Sequence, residues 1–387
     1  MRILLIHNTY KYKGGEDSVF ENEYNLLVSH NNQVEKLLFT NKNIHSLFDK
    51  IKVGINAIYN PKSAKILEEK IKLFQPEVIH VHNFFPVASP ALFYVANQLN
   101  IPIVITLHNY RLICPNALLF RENKVCEKCI QKSFAIDGVL NGCYRNSKIQ
   151  TFSLALMSYI HKKKATWHTK IDKYITLTNF AKQKLLSSSL GVHSDQFIIK
   201  PNFVEDFGCE YEKEDYFLFV GRLSLEKGVN LLLEAFIKSK QKLLIIGSGP
   251  LEKKVIEFAN KYTNIIYLGF QDKQFIIEKL KRAKALLFTS LWYEGMPMTI
   301  LESFSTATPV IAPNIGGPNE IVHDKKNGLI YQVNNLKNLQ EKIVELTQEN
   351  SIYKRFCIEA RKSYENYYTP ERNYQQLITL YKEMISS

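Results

Sequence analysis

The feature that most constrains this 387-residue chain is an alternation that starts, breaks off and starts again. Short apolar runs at residues 2–6, 34–39, 78–81, 101–107 and 173–177 are separated by intervals long enough for crossover helices. That pattern predicts a parallel, doubly wound sheet covered on both faces. Residues 187–215 interrupt it with three consecutive serines, then Pro201 and Asn202, then an acidic stretch from Glu210 to Asp215. The alternation resumes with apolar runs at 217–220, 243–246, 265–268, 286–288 and 310–312, and a helical tail follows from about Asn335. The expected fold is α/β, with two Rossmann-like doubly wound parallel-sheet domains facing each other across a cleft. One spans residues 1–200 and the other 201–366. Ligands in such sheets sit beyond the carboxyl ends of the strands.

Composition and charge narrow the classes. Hydrophobic residues make up 45% of the chain, ordinary for a soluble globular protein. No apolar run approaches the ~18 residues of a membrane span. The chain runs from Met1 straight into a strand rather than a signal peptide, so a cytoplasmic location is expected. The net charge of +13 is lopsided. Residues 1–200 hold 26 Lys and Arg against 14 Asp and Glu, whereas residues 201–387 hold 24 against 23. The surplus in the first half suits an anionic neighbour, such as a membrane surface, a phosphorylated lipid or a nucleic acid; an ordinary basic surface is the alternative.

The densest chemical signal is the stretch from Leu291 to Glu302, which carries two carboxylates, Glu294 and Glu302. It follows the apolar run ending at Phe288 and contains Pro297, suited to the first position of a helix. The pattern is strand, short loop, helix, with Glu294 and Gly295 in the loop and Glu302 in the second helical turn. The unbonded N–H groups of Met298 and Thr299 would point out of the helix start toward an anion or a set of hydroxyls. Carboxylates accept paired hydrogen bonds from vicinal diols, so the stretch suits a ligand that is part phosphate and part sugar. A helix that merely begins with Gly and Pro is the bland alternative.

A second segment, Val220 to Gly228, also leaves a strand and enters a helix. Arg222 offers a fork of donors and Lys227 a point charge, together suited to a diphosphate leaving group. The chain contains no Asp-x-Asp, the usual metal clamp for nucleotide sugars, so Arg222 and Lys227, set beside Gly221, would do that work. In the first half, Gly14 and Gly15 follow the first strand and would let backbone approach a phosphate or sugar; a plain turn reads equally well. Neither this pair nor Gly247 and Gly249 completes Gly-x-Gly-x-x-Gly, which removes the main support for nicotinamide binding. His108 ends the fourth strand, where it would point into the cleft. His80 and His82 share one face of the third strand, in a structural or acceptor-side role.

Cys114, Cys126, Cys129 and Cys143 crowd one insertion at about 112–146, with Cys126 and Cys129 in a Cys-x-x-Cys spacing. In a cytosolic chain this suits a structural zinc site, or else unpaired thiols in a variable loop. Four thiolates would leave no open position for catalysis. Residues 151–167 place Phe152, Leu156, Tyr159, Ile160 and Trp167 at helical spacing around Lys162–Lys164. Such a helix packs into a core or lies on an anionic membrane.

Taken together, Glu294-Gly295-x-Pro297 with Glu302, Gly221-Arg222 with Lys227-Gly228, the His108 strand end and the Gly14-Gly15 loop resemble the family 4 retaining glycosyltransferases over nearly the whole chain. The resemblance implies a GT-B fold, a UDP- or GDP-sugar donor held mainly by the second domain and a glycan or lipid-linked acceptor held mainly by the first. It implies retention of anomeric configuration with no catalytic cofactor or metal. By position, Glu302 would hold the nucleotide's ribose. Glu294 and the backbone of Gly295, Met296, Pro297, Met298 and Thr299 would hold the donor sugar. Arg222 and Lys227 would hold the diphosphate, and His108 would orient the sugar. Residues 367–387 would form a helix crossing back to the first domain. The Cys-rich insertion is similar to that of a bacterial subset linked to surface polysaccharides, which implies capsule, O-antigen or exopolysaccharide synthesis and peripheral contact with the inner membrane.

Two other functions stay open on the sequence. A nucleotide-sugar epimerase would use the same fold without an acceptor. A nucleic-acid-binding protein would use the basic first half, but its charges are dispersed and no recognition motif is present.

Overall fold

The computed structural model describes residues 1–9, 14–40, 54, 56–348 and 350–386. The chain divides into two compact units. The first comprises Met1–Leu119, Cys126–Pro201 and Asn373–Ser387, and the second Phe120–Val125 and Asn202–Arg372.

In the first unit, β1 (Arg2–Thr9), β2 (Gln33–Thr40), β3 (Val78–Val81) and β4 (Ile103–Leu107) precede a short antiparallel hairpin, β5 (Phe120–Arg121) with β6 (Lys124–Val125), which itself belongs to the second unit. β7 (Lys173–Thr176) and β8 (Phe197–Ile199) complete a parallel six-stranded sheet in the order β2-β1-β3-β4-β7-β8. Chain order reverses between β1 and β3, the point where doubly wound sheets open a crevice at their carboxyl edge. Ile3 to Ile6 are wholly buried, as a strand covered on both faces requires. Ile3, Leu5, Val78, Val104 and Ile175 pack with Phe20 and Leu27 of the helix Gly15–Ser29. The last helix, Pro370–Ser386, adds Leu377, Leu380, Tyr381 and Met384 to the same core, at the spacing that places side chains on one helical face.

The second unit repeats the scheme with β9 (Tyr216–Val220), β10 (Lys242–Ile246), β11 (Ile265–Tyr267), β12 (Ala285–Leu287), β13 (Val310–Pro313) and β14 (Gly328–Tyr331), ordered β11-β10-β9-β12-β13-β14 and parallel throughout. Its reversal lies between β9 and β12. Phe217, Phe219, Ile245 and Ile311 meet Val229, Leu232 and Phe236 of the helix Val229–Phe236 in its core.

Three expectations need correction. β8 lies inside the interval read as a pure break, where its Phe197–Ile199 run is flanked by Gln196 and Lys200 and lies between the serine run and Pro201. β14 went unseen because it opens on Gly328. The helix expected over 151–167 is Lys148–Lys163, and Trp167 sits in a separate turn, Thr166–Thr169. Its inward positions are Leu154, Ala155, Met157 and His161, while Phe152 is exposed, so the helix is core-packed.

Candidate active site

In the second unit the loops leaving β9 and β12 are tied together at the reversal point. Leu291 N–H donates to Glu226 O at 2.8 Å, and Thr289 Oγ1 donates to Lys227 O at 2.8 Å. Gly228 makes this approach possible. Its φ is +69°, and a Cβ there would lie 1.9 Å from Thr289 O. The loops carry Lys227 and Glu294 into an ion pair. Glu294 is buried, and its Oε1 also accepts from Ser290 Oγ at 2.7 Å and Trp292 Nε1 at 2.9 Å. Three donors thus converge on one oxygen. Among the described residues Oε2 has no hydrogen-bond partner.

The Glu294–Gly295 turn is backed by Gly316 and Gly317. Gly317 N–H donates to Glu294 O at 2.9 Å, and a Cβ on Gly317 would lie 1.9 Å from Gly295 O. The helix Met298–Ser305 begins one residue later than the sequence suggested. Pro297 is its extended cap, with ψ of 122°, rather than its first residue. Met296 is buried and its sulfur lies 3.0 Å from the Asn202 N–H. Glu302 is also buried and pairs with Lys273 at the start of the helix Lys273–Arg282. Gly221, half-buried, donates its N–H to Ile246 O at 3.0 Å. Arg222 is exposed, and among the described residues its side chain joins neither carboxylate. The structure therefore brings Lys227 and Glu294 into contact, pairs Glu302 elsewhere and leaves Arg222 open to solvent. Ser290, Trp292, Lys273, Gly316 and Gly317 escaped the sequence reading. Only the two adjacent glycines carried a signal that could have flagged them.

In the first unit the carboxyl edge of the sheet is lined with imidazoles. His7 Nε2 lies 2.9 Å from Asp17 Oδ1, and Asp17 Oδ2 accepts the Gly14 N–H at 2.7 Å. Asp17 thus fixes the exposed Gly14–Gly15 turn to β1; residues 10–13, which lead into that turn, lie outside the described residues. Burial lowers the His7 ring's pKa despite the carboxylate beside it. Asn109 Nδ2 donates to Glu16 Oε2 at 3.3 Å, which joins the loop after β4 to the same turn. His108 is half-buried and lines a pocket with Asn83, Phe85, Asn109 and Arg111. Its Nε2 lies 3.1 Å from His82 Nδ1, and His82 Nε2 lies 3.0 Å from Glu23 Oε1. His80 Nδ1 lies 2.9 Å from the same oxygen and 2.6 Å from Tyr381 Oη, and its Nε2 lies 2.8 Å from Thr106 Oγ1. Lys200 Nζ donates to Glu23 Oε2 at 2.9 Å and to Asn373 Oδ1 at 3.0 Å. Burial opposes ionisation of Glu23, but Lys200 and then the two rings hold it well below the usual carboxylate range. Burial lowers His82 to about 4, and burial followed by His82 carries His108 well below the usual histidine range. Both rings are neutral at pH 7.

Glu23, His80 and His82 are also the one group of three or more potential metal ligands that gathers its ligand atoms within 4.8 Å among the described residues. The Lys200 ammonium already supplies the positive charge there, so a divalent cation would have to displace it. The four cysteines do not form a second such group. Cys114 and Cys129 are buried, Cys126 and Cys143 half-buried, and none is in a disulfide among the described residues. Burial pushes the Cys114 thiol up to about 11 and raises that of Cys129. Gly138 sits among them: Cys143 N–H donates to its carbonyl at 3.0 Å, and a Cβ there would lie 3.6 Å from Cys129 Sγ. Zinc binding by these thiols would have to displace their protons.

Comparison with known proteins places these features in a family. Residues 51–206 match the family model described as Glycosyltransferase Family 4, and residues 205–363 match that described as Glycosyl transferases group 1. An uncharacterized glycosyltransferase of Methanocaldococcus jannaschii is 28% identical over 87% of this chain and 80% of its own length. The O-antigen chain mannosyltransferase C of Escherichia coli is 27% identical over 52% of this chain; the match covers 58% of that relative. Among solved structures, Anabaena HepE, crystallised with UDP, superposes with a TM-score of 0.69 over 99% of this chain and 100% of its own, at 13% identity. With two family models in tandem and two Rossmann-like parallel sheets of this topology, the chain belongs to the group 1, family 4 type of glycosyltransferase, on the GT-B fold.

Proposed function

We propose that the chain is a retaining glycosyltransferase that moves a sugar from a UDP- or GDP-sugar to a hydroxyl of a glycan or lipid-linked acceptor, in the building of a bacterial capsule, O-antigen or exopolysaccharide. The observation that carries this reading is the Lys227–Glu294 pair at the reversal point of the second sheet. Glu294 Oε1 is saturated by three donors and Oε2 is left for a sugar hydroxyl. Lys227 and the exposed Arg222 suit a departing diphosphate, whose developing charge they would stabilise in place of a metal. Glu302 would hold the ribose, with Lys273 as its partner when no donor is bound. The pathway assignment draws on relatives such as the O-antigen mannosyltransferase.

The proposed step is front-face substitution. The bond from the anomeric carbon to the diphosphate oxygen breaks, an oxocarbenium-like sugar forms, and the acceptor oxygen bonds to the same face. The acceptor's proton goes to the departing phosphate oxygen. Among the described residues no helix is long and apolar enough to cross a membrane, so contact with a lipid-linked acceptor would be peripheral.

A thermal-shift screen against UDP- and GDP-sugars identifies the donor, because a bound donor stabilises the fold by mass action. Product analysis with that donor then tests the reaction. A glycoside with the donor's anomeric configuration is expected only when acceptor is present. An isomerised donor formed without acceptor would instead establish an epimerase, and an inverted product would overturn retention. Metal analysis of the purified chain addresses the cysteines: stoichiometric zinc that a Cys129→Ser variant loses would place a metal on them.

A further inference from the structure

The chain Lys200–Glu23–His82–His108 runs from the interior of the first unit to the pocket beside β4, and its hydrogen-bond directions are fixed by its buried end. Glu23 is 1% exposed and Lys200 3% exposed. With Lys200 on Oε2, Glu23 is a carboxylate, and a carboxylate only accepts. The His82 Nε2 at 3.0 Å from Oε1 must therefore carry hydrogen. A neutral imidazole has one N–H, so His82 Nδ1 is bare and must accept from His108 Nε2 at 3.1 Å. That places the single hydrogen of His108 on Nε2. Among the described residues His108 Nδ1 has no hydrogen-bond partner.

We propose that Glu23, acting through His82, is a positioning residue that locks His108 as its Nε2–H tautomer, so that Nδ1 presents a lone pair to a substrate hydroxyl. Glu23 itself touches no substrate. The proposal rests on the reading that His108 meets a sugar or acceptor hydroxyl, and it explains why a full charge is buried beneath a histidine-rich edge. The stacking of His82 on His108, with ring centres 5.3 Å apart and planes 23° apart, keeps the two rings in register. His7 and His80 flank the line without interrupting it: His7 faces Asp17, and His80 faces Glu23, Tyr381 and Thr106.

The test is a long-range proton–nitrogen spectrum of the full chain labelled at histidine nitrogen, with His108→Gln used to assign the signal. The Nε2–H tautomer is expected for both His82 and His108 near neutral pH. In Glu23→Gln combined with Lys200→Met, no buried charge is stranded and the amide can donate to His82 Nε2. The hydrogens then shift along the line, and His108 becomes Nδ1–H or a mixture. His82→Gln breaks the line while keeping the Lys200–Glu23 pair, and decides the matter if the double variant does not fold. Both variants are expected to lower kcat by on the order of tenfold or more while KM for the donor stays within about twofold. An Nδ1–H tautomer in the unmodified protein, or an unchanged Nε2–H signal in both variants, would overturn the proposal. Because the spectrum needs no turnover, a failure to find the right substrate is told apart from a failure of the relay.

Discussion

Lys227 Nζ reaches Glu294 Oε1 across 67 residues of sequence, from the loop after one strand to the loop after its spatial neighbour. Neither residue is part of the apolar core, so changing them should tax chemistry more than folding. Lys227→Ala and Glu294→Gln are each expected to lower kcat by about 100-fold or more, the loss typical of removing one group that stabilises developing charge. Far-ultraviolet circular dichroism should stay unchanged. Rates within about twofold of the unmodified protein in both variants would remove the assignment.

Gly317 and Gly228 make a steric prediction that needs no substrate. In either, a methyl group would sit 1.9 Å from a backbone oxygen, of Gly295 or Thr289 respectively. Gly317→Ala and Gly228→Ala should each cost about 1–3 kcal/mol in urea unfolding, as overpacked positions do. Donor affinity should fall with stability, because the Glu294 loop must move. Gly208→Ala is the control. It has φ of +72° but open space around it, so only the smaller backbone term, about 1 kcal/mol, applies.

How much of this could be read from residues alone depended on sequence distance. The strands β1, β3, β4, β9, β10 and β13 were legible because burial on both faces makes a run of Ile, Leu and Val. The loop positions of Lys227 and Glu294 after β9 and β12 were legible because loops after strands repeat a local pattern. The partners were not. Ser290 and Trp292 are unremarkable neighbours whose donors happen to aim at one oxygen. Lys273 meets Glu302 only because two helices start near each other. Glu23 reads as one more polar residue on a helix, and its 59-residue separation from His82 hides a contact that only folding creates.

Acid should weaken the first unit through its imidazoles. His82 falls from 6.5 to about 4 on folding. Between those values the unfolded chain binds a proton that the folded chain excludes, so stability rises with pH across the window and is lost on acidification through it. The contribution of His82 alone is on the order of 3 kcal/mol. His108 acts in the same direction. The Glu23 term is separate and is lost only below its unfolded pKa, about 4.3. Urea midpoints between pH 7.5 and 4.5 should fall more steeply for the unmodified protein than for His82→Gln. Parallel curves would contradict the assignment.

Ending the chain at Arg372 should abolish the first unit. The segment removed carries Leu377, Leu380, Tyr381 and Met384, each worth about 1.5–3 kcal/mol of burial. Their sum is comparable to the whole stability of a typical domain, about 5–15 kcal/mol. Limited proteolysis of the shortened chain should degrade residues before Asn202 while sparing a fragment of the second unit. Equal protection of both parts would refute this.

Since Asn373–Ser387 close over a sheet that starts at Arg2, biosynthesis meets the two units out of order. The ribosome delivers nearly all of the later unit before the earlier one receives its covering helix. The first strands therefore wait, half clothed, until Asn373–Ser387 emerge, and a translation product interrupted before them would expose the apolar face that this segment covers.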